Sequence, residues 1–354
     1  MRSIFLLLIT VFFTLFAACS PSDSPAWQSL LDYKSLQTPP PSVNIFKPQE
    51  NKELIFVAVE HVSNLAHPVI ETIKSVLETK KPQFCILEGF SPEDGISPQG
   101  LIDGAKRELF EGKCPENVYA AYLCKENNIP FVGGDIHNEK YLEPLARKGY
   151  SEKDVVFWML AQNFPFWNRE GIVNDANFKE LATDMIQNNI TFWLNKSKLD
   201  YTVDEFLEWH EKHMGKPLDV VKDFPWGYDQ KEFMPSLAED ATIYKKIQAH
   251  IMPLRDTHLI NLMRESLDEY DKVLVIFGAS HYEWQKSALE LLFKKPSQSY
   301  PINYDSLKSY KPSDLASNEL PASRCSSLLT TCDENCFHDY ALARGFRSSE
   351  PLEV

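Results

Sequence analysis

The sequence lacks a second long apolar segment, and it lacks an excess of positive charge. Beyond Phe16, no stretch of the 354 residues is apolar over the length that a bilayer-spanning helix needs. The 50 Asp and Glu residues outnumber the 36 Lys and Arg residues and give a formal net charge of −14. Such an acidic balance argues against nucleic acid and anionic lipid headgroups as partners. The absence of a repeat of solenoid length also excludes repeat architectures.

The first 18 residues have the pattern of a signal peptide. A positively charged start precedes an apolar run from Ile4 to Phe16, and two small residues follow. Cys19 comes next, and the stretch Leu15–Cys19 resembles a bacterial lipobox, in which the cysteine is lipidated and becomes the mature N-terminus. We therefore expect an exported lipoprotein at the periplasmic face or the cell surface, anchored in the outer membrane by lipid on Cys19. Cleavage with release of the chain is the alternative.

Short apolar runs alternate with helical patterns in two parts of the chain. Because such runs are typical of strands buried on both faces, the alternation predicts an α/β fold with a mainly parallel sheet flanked by helices. The runs are Leu54–Val59, Phe84–Leu87, Ile129–Gly134 and Val273–Phe277. Residues 51–149 and 251–300 are expected to form the two halves of this core.

The remaining segments differ in composition from the predicted core. Residues 19–50 are rich in Pro and Ser and predict a tether. Residues 150–250 have helical patterns and predict a helical insertion, whose aromatic side chains would mostly pack its own core. Residues 301–354 predict an irregular tail. Its three cysteines, Cys325, Cys332 and Cys336, favour one local disulfide with a spare thiol, and a zinc site completed by His338 is the alternative.

Polar side chains follow each predicted parallel strand. His61, Glu88 and His281 follow the first, second and last strands, and Asp135 and His137 follow the third. Since the carboxyl ends of parallel strands meet at one edge of a sheet, we expect these groups to lie close together. Imidazole and carboxylate ligands suit a divalent transition metal, which could activate water. Without metal, a Glu–His pair can act as a general base.

The same strand ends resemble those of a superfamily that includes TraB and Tiki proteins, erythromycin-esterase-like enzymes and ChaN-type haem-binding lipoproteins. Gly278–His281 is similar to the later of that superfamily's two G-x-x-H elements. Leu87–Phe90 is similar to its Glu-bearing strand end, and Ala58–His61 keeps the histidine of the first element. Arg255 is similar to an arginine that TraB and Tiki proteins carry before the last strand.

The resemblance covers residues 52–146 and 251–293 and implies several functions. We expect a hydrolase that cleaves an ester or peptide bond in a small-molecule or peptide substrate, with or without a metal ion. His61, Glu88 and His281 would bind the metal or activate water, and Arg255 would hold an anionic group or an oxyanion. A haem-binding or haem-uptake lipoprotein, with Tyr282 beside His281 as a ligand, is one alternative. A non-catalytic surface-binding protein is another.

Overall fold

A six-stranded sheet forms the centre of the protein in the computed structural model. The structure describes residues 26–33, 39–91, 114–169, 171–224 and 233–304, with a few single positions between 93 and 109. The strands are β1 (Ser42–Phe46), β2 (Glu53–Val59), β3 (Phe84–Leu87), β4 (Phe131–Gly133), β5 (Lys272–Gly278) and β6 (Gln298–Pro301). Their order across the sheet is β4-β3-β5-β2-β1-β6. The four strands from β4 to β2 are parallel, and β1 and β6 are antiparallel additions at one side. The predicted α/β class with a mainly parallel sheet is therefore confirmed.

The described residues form eleven α-helices. They are α1 (Pro68–Lys80), α2 (Glu116–Glu126), α3 (Leu142–Arg147), α4 (Glu152–Ala161), α5 (Phe164–Arg169), α6 (Phe178–Asp184), α7 (Thr191–Trp193), α8 (Val203–Met214), α9 (Val220–Asp223), α10 (Ile243–Glu269) and α11 (Ala279–Phe293). Two short 3₁₀ helices, Ala26–Leu30 and Asn138–Tyr141, and one π-helical turn, Met185–Ile190, complete the helical structure.

Both faces of the central strands are buried, which explains why the strands are apolar throughout. In β2, Ile55 and Val57 belong to a core shared with α1 and α2. Their neighbours Phe56 and Ala58 belong to a second core shared with α10 and α11. This alternation follows from the two-residue period of a strand, and it places one helical layer on each face of the sheet.

A third core lies within the helical region between β4 and β5. Trp158, Trp167 and Trp209 are almost fully buried there and pack with residues of the first half of α10. Residues 150–224 and 233–250 contain helices and no strand among their described positions. The aromatic residues of this region thus stabilise its own packing, and α10 passes from this core to the sheet.

Two elements differ from the sequence-based expectations. Residues 19–50 were expected to be a tether, but they contain β1. This strand pairs with β2 in antiparallel register and therefore belongs to the sheet. α10 starts at Ile243, within the predicted helical insertion, continues into the second half of the core, and contains Pro253. Proline normally ends or kinks a helix, but packing on both sides of Pro253 keeps α10 continuous.

Some expectations concern residues that the structure does not describe. The signal peptide, the lipidated Cys19 and the cysteines of the tail lie outside the described residues. Cys85, Cys114 and Cys124 are buried and form no disulfide. Within the described ranges, no helix has the length and apolar character that crossing a membrane requires.

We expect the central strand β5 to dominate the stability of the core. Replacing Leu274, which is fully buried, with Ala should lower the free energy of unfolding by about 2–5 kcal/mol, through lost apolar burial and a residual cavity. The matched change Leu291→Ala, at a side chain that is 59 % exposed, should have an effect below about 0.5 kcal/mol. Urea unfolding of both variants tests this, and equal losses would show that β5 is not central to the core.

Candidate functional site

The register of the sheet brings three strand ends to one edge. Val59 of β2 pairs with Gly278 of β5, and Leu87 of β3 pairs with Ile276 of the same strand. The residues that follow these positions therefore emerge side by side. His61, Glu88 and His281 line one cavity of about 360 Å³ at this edge.

Glu88 lies at the centre of this edge, between the two histidines. Its Oε2 is 3.8 Å from Nε2 of His61, and its Oε1 is 3.6 Å from Nε2 of His281. The carboxylate is held in place by Arg255, whose Nη2 donates to Oε1 at 3.1 Å, and by the backbone N–H of Gly278, which donates to Oε2 at 2.5 Å. The two hydrogen bonds fix the carboxylate between the rings.

Gly278 is needed at the end of β5 because of this close approach. A Cβ atom at this position would lie 3.3 Å from Oε2 of Glu88 and 3.3 Å from Nε2 of His61. A side chain here would require the carboxylate and the imidazole to shift by a few tenths of an ångström. These close contacts explain why the Gly278–His281 motif begins with glycine, which the sequence alone did not reveal.

His61 is oriented by a second carboxylate. Its Nδ1 lies 2.6 Å from Oε1 of Glu116, the first residue of α2, so its Nε2 faces Glu88. Burial lowers the pKa of His61, but the carboxylates of Glu116 and Glu88 more than offset it and raise the pKa to about 9. Burial likewise raises the pKa of Glu116, and His61 together with backbone hydrogen bonds holds it below its usual value. The pair is therefore an imidazolium and a carboxylate at neutral pH.

His281 is oriented in the same way from the other side. Its Nδ1 lies 2.6 Å from Oδ1 of Asp256, which is fully buried in α10. Asp256 also accepts hydrogen bonds from Tyr33 at 2.7 Å and from Gln285 at 2.6 Å. Because all three groups donate to Asp256, Nδ1 of His281 carries a proton, and its Nε2 faces the cavity.

Tyr33 ties the start of the described chain to this pair. Its ring packs 5.4 Å from that of Trp284, and the N–H of Asp32 donates to the carbonyl of Trp284 at 3.0 Å. Burial raises the pKa of Tyr33 far above its ordinary value, and the nearby Asp256 raises it further. The hydroxyl therefore remains a donor to Asp256 at any physiological pH.

Arg255 is engaged with carboxylates on two strand ends. Its Nε and Nη2 donate to Oδ1 of Asp135 at 2.9 and 2.6 Å, while Nη2 also reaches Glu88. Asp135 additionally accepts the N–H of Gly89 through Oδ2 at 2.7 Å. Arg255 and Asp135 thus position Glu88, and Nε and Nη2 of the guanidinium are directed to these two carboxylates.

Two other expected site residues lie away from the cavity lining. His137 caps the 3₁₀ helix Asn138–Tyr141 and is buried, but it does not line the cavity. Tyr282 packs its ring 5.3 Å from Phe56 in the core between the sheet and α11. It therefore acts as a core aromatic residue, and the cavity contains His281 without it.

The donors at this edge do not fit a resident metal ion. No group of three or more His, Cys, Asp and Glu side chains among the described residues is arranged to hold one. The only carboxylate between the two imidazoles already accepts hydrogen bonds through both oxygens. The charge of Arg255, 3.1 Å from Glu88, would also oppose a divalent cation at that point. The arrangement fits acid–base chemistry by the side chains themselves.

The sequence pattern did not reveal four contributors to the site. Glu116 and Asp256 contact the histidines directly, whereas Tyr33, from a distant part of the chain, and Gln285, from the same helix as His281, hold Asp256. Glu116 follows Pro115 at the first turn of a helix, where an acidic residue is common for local reasons. Its role therefore could not be separated from ordinary helix capping before the tertiary contacts were known.

The raised pKa of His61 predicts a pH-dependent stability. A histidine with a pKa of 6.5 when unfolded and about 9 when folded contributes stability that is complete below pH 6.5 and is lost as the pH rises through 9. The difference in urea midpoint between the wild type and His61→Gln should therefore shrink steadily between pH 6.5 and 9.5.

His250→Gln is the matched control for this experiment. Burial and the nearby Lys148 lower the pKa of His250, so its contribution should stay constant above pH 6.5. A constant difference for His61→Gln over the same range would contradict the ion pair with Glu116.

Comparison of the chain with models of known protein families, with curated proteins and with solved structures found no match. The resemblance to TraB, Tiki and ChaN-type proteins thus rests on the short motifs at the strand ends. The function has to be argued from the geometry of these side chains.

Proposed function

We propose that the protein is a hydrolase of ester or amide bonds, with His61, Glu88 and His281 as its catalytic centre. One observation carries this proposal. Two histidines present Nε2 to opposite oxygens of one carboxylate at 3.8 and 3.6 Å, and each has its Nδ1 fixed by a separate carboxylate at 2.6 Å. Carboxylate–imidazole pairs that face a common cavity are suited to moving protons to and from a substrate.

The two histidines are suited to opposite roles. His281 keeps a proton on Nδ1 through Asp256, so its Nε2 can accept a proton from water as the water oxygen attacks the carbonyl carbon. His61, an imidazolium at neutral pH, can donate from Nε2 to the leaving oxygen or nitrogen as its bond to the carbonyl carbon breaks. The proton gained by His281 and the one lost by His61 return through solvent after product release.

Glu88 supports both steps through its charge. It lies close to each Nε2, so it stabilises the imidazolium of His61 and the imidazolium that forms on His281. Arg255 and Gly278 keep the carboxylate between the two rings. We assign Arg255, Asp135, Glu116 and Asp256 as positioning residues.

We also propose that lipid on Cys19 holds this domain at a membrane, as the stretch Leu15–Cys19 suggests. The first described helix begins at Ala26, and Trp27 is already buried in the core. A chain from Cys19 to Ala26 spans at most about 25 Å. Such an anchor would keep the catalytic edge close to the membrane surface.

Removing any one of the three central side chains should abolish most of the activity. Glu88→Gln, His61→Gln and His281→Gln should each lower kcat/KM on an activated ester by about 100- to 10,000-fold, the usual contribution of a general acid or base. For the wild type, kcat/KM should fall as the pH rises through about 9, where His61 loses its proton. His250→Gln, which lies outside the cavity, should keep the wild-type rate and pH profile. Glu88→Gln with a rate within threefold of the wild type would refute the assignment.

Hydrolysis should not require a metal ion. After dialysis against EDTA, kcat/KM should stay within twofold of its starting value, and elemental analysis of the purified protein should find far less than one transition metal per chain. Loss of activity in EDTA that Zn²⁺ or Mn²⁺ restores would mean that a metal ion replaces the hydrogen bonds now seen at Glu88.

A further inference from the structure

Part of the cavity lining is apolar and comes from the helical layer. It includes Met252 of α10, Trp284 of α11 and two residues that precede α10, Phe233 and Met234. Phe233 is 9 % exposed and Trp284 is 6 % exposed, so both are held firmly in place. A volume of about 360 Å³ is at the small end of ligand pockets, so the substrate group that enters is compact.

Among the described residues that line the cavity, both cationic side chains are already paired with carboxylates. Arg255 is engaged with Asp135 and Glu88, and His61 is engaged with Glu116 and Glu88. Glu60 adds a further carboxylate to the lining. Since these carboxylates outnumber the cationic groups, a negatively charged substrate would be repelled at short range.

A pair of glutamine amides interrupts the apolar part of the lining. Nε2 of Gln162 donates to Oε1 of Gln248 at 2.8 Å, and both residues line the cavity. Gln248 is 7 % exposed. Among the described residues, no other hydrogen bond is made by Oε1 of Gln162 or by Nε2 of Gln248. The pair therefore offers one acceptor and one donor to the cavity, which are the groups that a single amide can bind.

We propose that the substrate is a compact, uncharged molecule that carries an apolar group and an amide beside the bond that is cleaved. This inference rests on the proposed hydrolase function and adds its substrate class. The apolar group packs against Met252 and Trp284, and the amide pairs with Gln162 and Gln248. A substrate that lacks the amide leaves the Nε2 donor of the buried Gln248 without a partner, which selects against it, whereas the exposed Gln162 can be solvated by water.

Three matched methyl esters test this proposal with the full chain. N-acetyl-leucine methyl ester has the apolar group and the amide. Methyl 4-methylpentanoate has a similar apolar group without the amide, and N-acetyl-aspartate α-methyl ester has the amide with a negative charge. We expect kcat/KM for the first to exceed that for each of the other two by at least tenfold. Gln248→Leu should reduce the preference for the amide-bearing leucine ester over the pentanoate at least fivefold, whereas Gln49→Leu, at an exposed position, should leave it unchanged.

Calorimetry with N-acetyl-leucine methylamide separates the binding proposal from the catalytic one. One outcome is saturable binding that Gln248→Leu weakens at least fivefold, together with no hydrolysis of any ester. This outcome would overturn the proposed hydrolase activity and support the proposal that the cavity binds an amide. Hydrolysis of all three esters at similar rates would overturn the substrate class and support the hydrolase. Preference for the anionic ester would also overturn the substrate class, and absence of both binding and hydrolysis would overturn both proposals.

Discussion

The ion pairs of Arg255 hold together the two parts of the protein that make the cavity. Arg255 projects from the middle of α10, which packs in the helical core before this point and on the sheet after it. Its guanidinium contacts carboxylates that follow β3 and β4. Because its side chain is only 20 % exposed, loss of this one cation would leave Glu88 and Asp135 close together and unpaired, a situation that typically costs about 3–5 kcal/mol. The position of Glu88, and with it the geometry of the whole edge, depends on this contact.

The two histidines differ because their surroundings differ. His61 has a half-exposed side chain between two carboxylates, and their charges keep it protonated. His281 is buried, and its partner Asp256 shares its charge with the hydroxyl of Tyr33 and the amide of Gln285. One edge of a sheet can thus hold a proposed acid and a proposed base on either side of one carboxylate, because each imidazole has its own carboxylate behind it.

In the proposed function, the helices supply selectivity to the cavity and the strand ends supply reactivity. Met252, Trp284 and Gln248 line the cavity from helices, and Gln162 does so from the position directly after α4. This division is common in α/β proteins, since the carboxyl edge of the sheet fixes reactive groups while added segments form the opposing wall. Trp158, Trp167 and Trp209 serve the packing of that added region and not the cavity.

Much of the sheet and of the central site could be predicted because both depend on local patterns. Apolar runs gave β2, β3, β4 and β5, and the rule that parallel strands end at one edge led from there to His61, Glu88 and His281. The antiparallel β1 was not predicted, since a five-residue strand beside prolines has no distinctive pattern of its own. The position of Tyr282 next to His281 in the sequence suggests a haem ligand. Consecutive residues of a helix point in different directions, however, and Tyr282 packs against Phe56.

By itself, the sequence determined the class of fold, the edge at which polar groups gather and the three side chains at its centre, because strand period and topology act over short stretches of chain. Only the tertiary structure decided how these groups are paired. Glu116 and Tyr33 lie 55 and 223 residues from the partners they orient, and a contact of that range leaves no trace in local spacing. The protonation of His61 and the pairing of Arg255 with Glu88 and Asp135 likewise follow from charges that packing brings together. For this reason the proposed acid, base and positioning cation could be distinguished only in the folded chain.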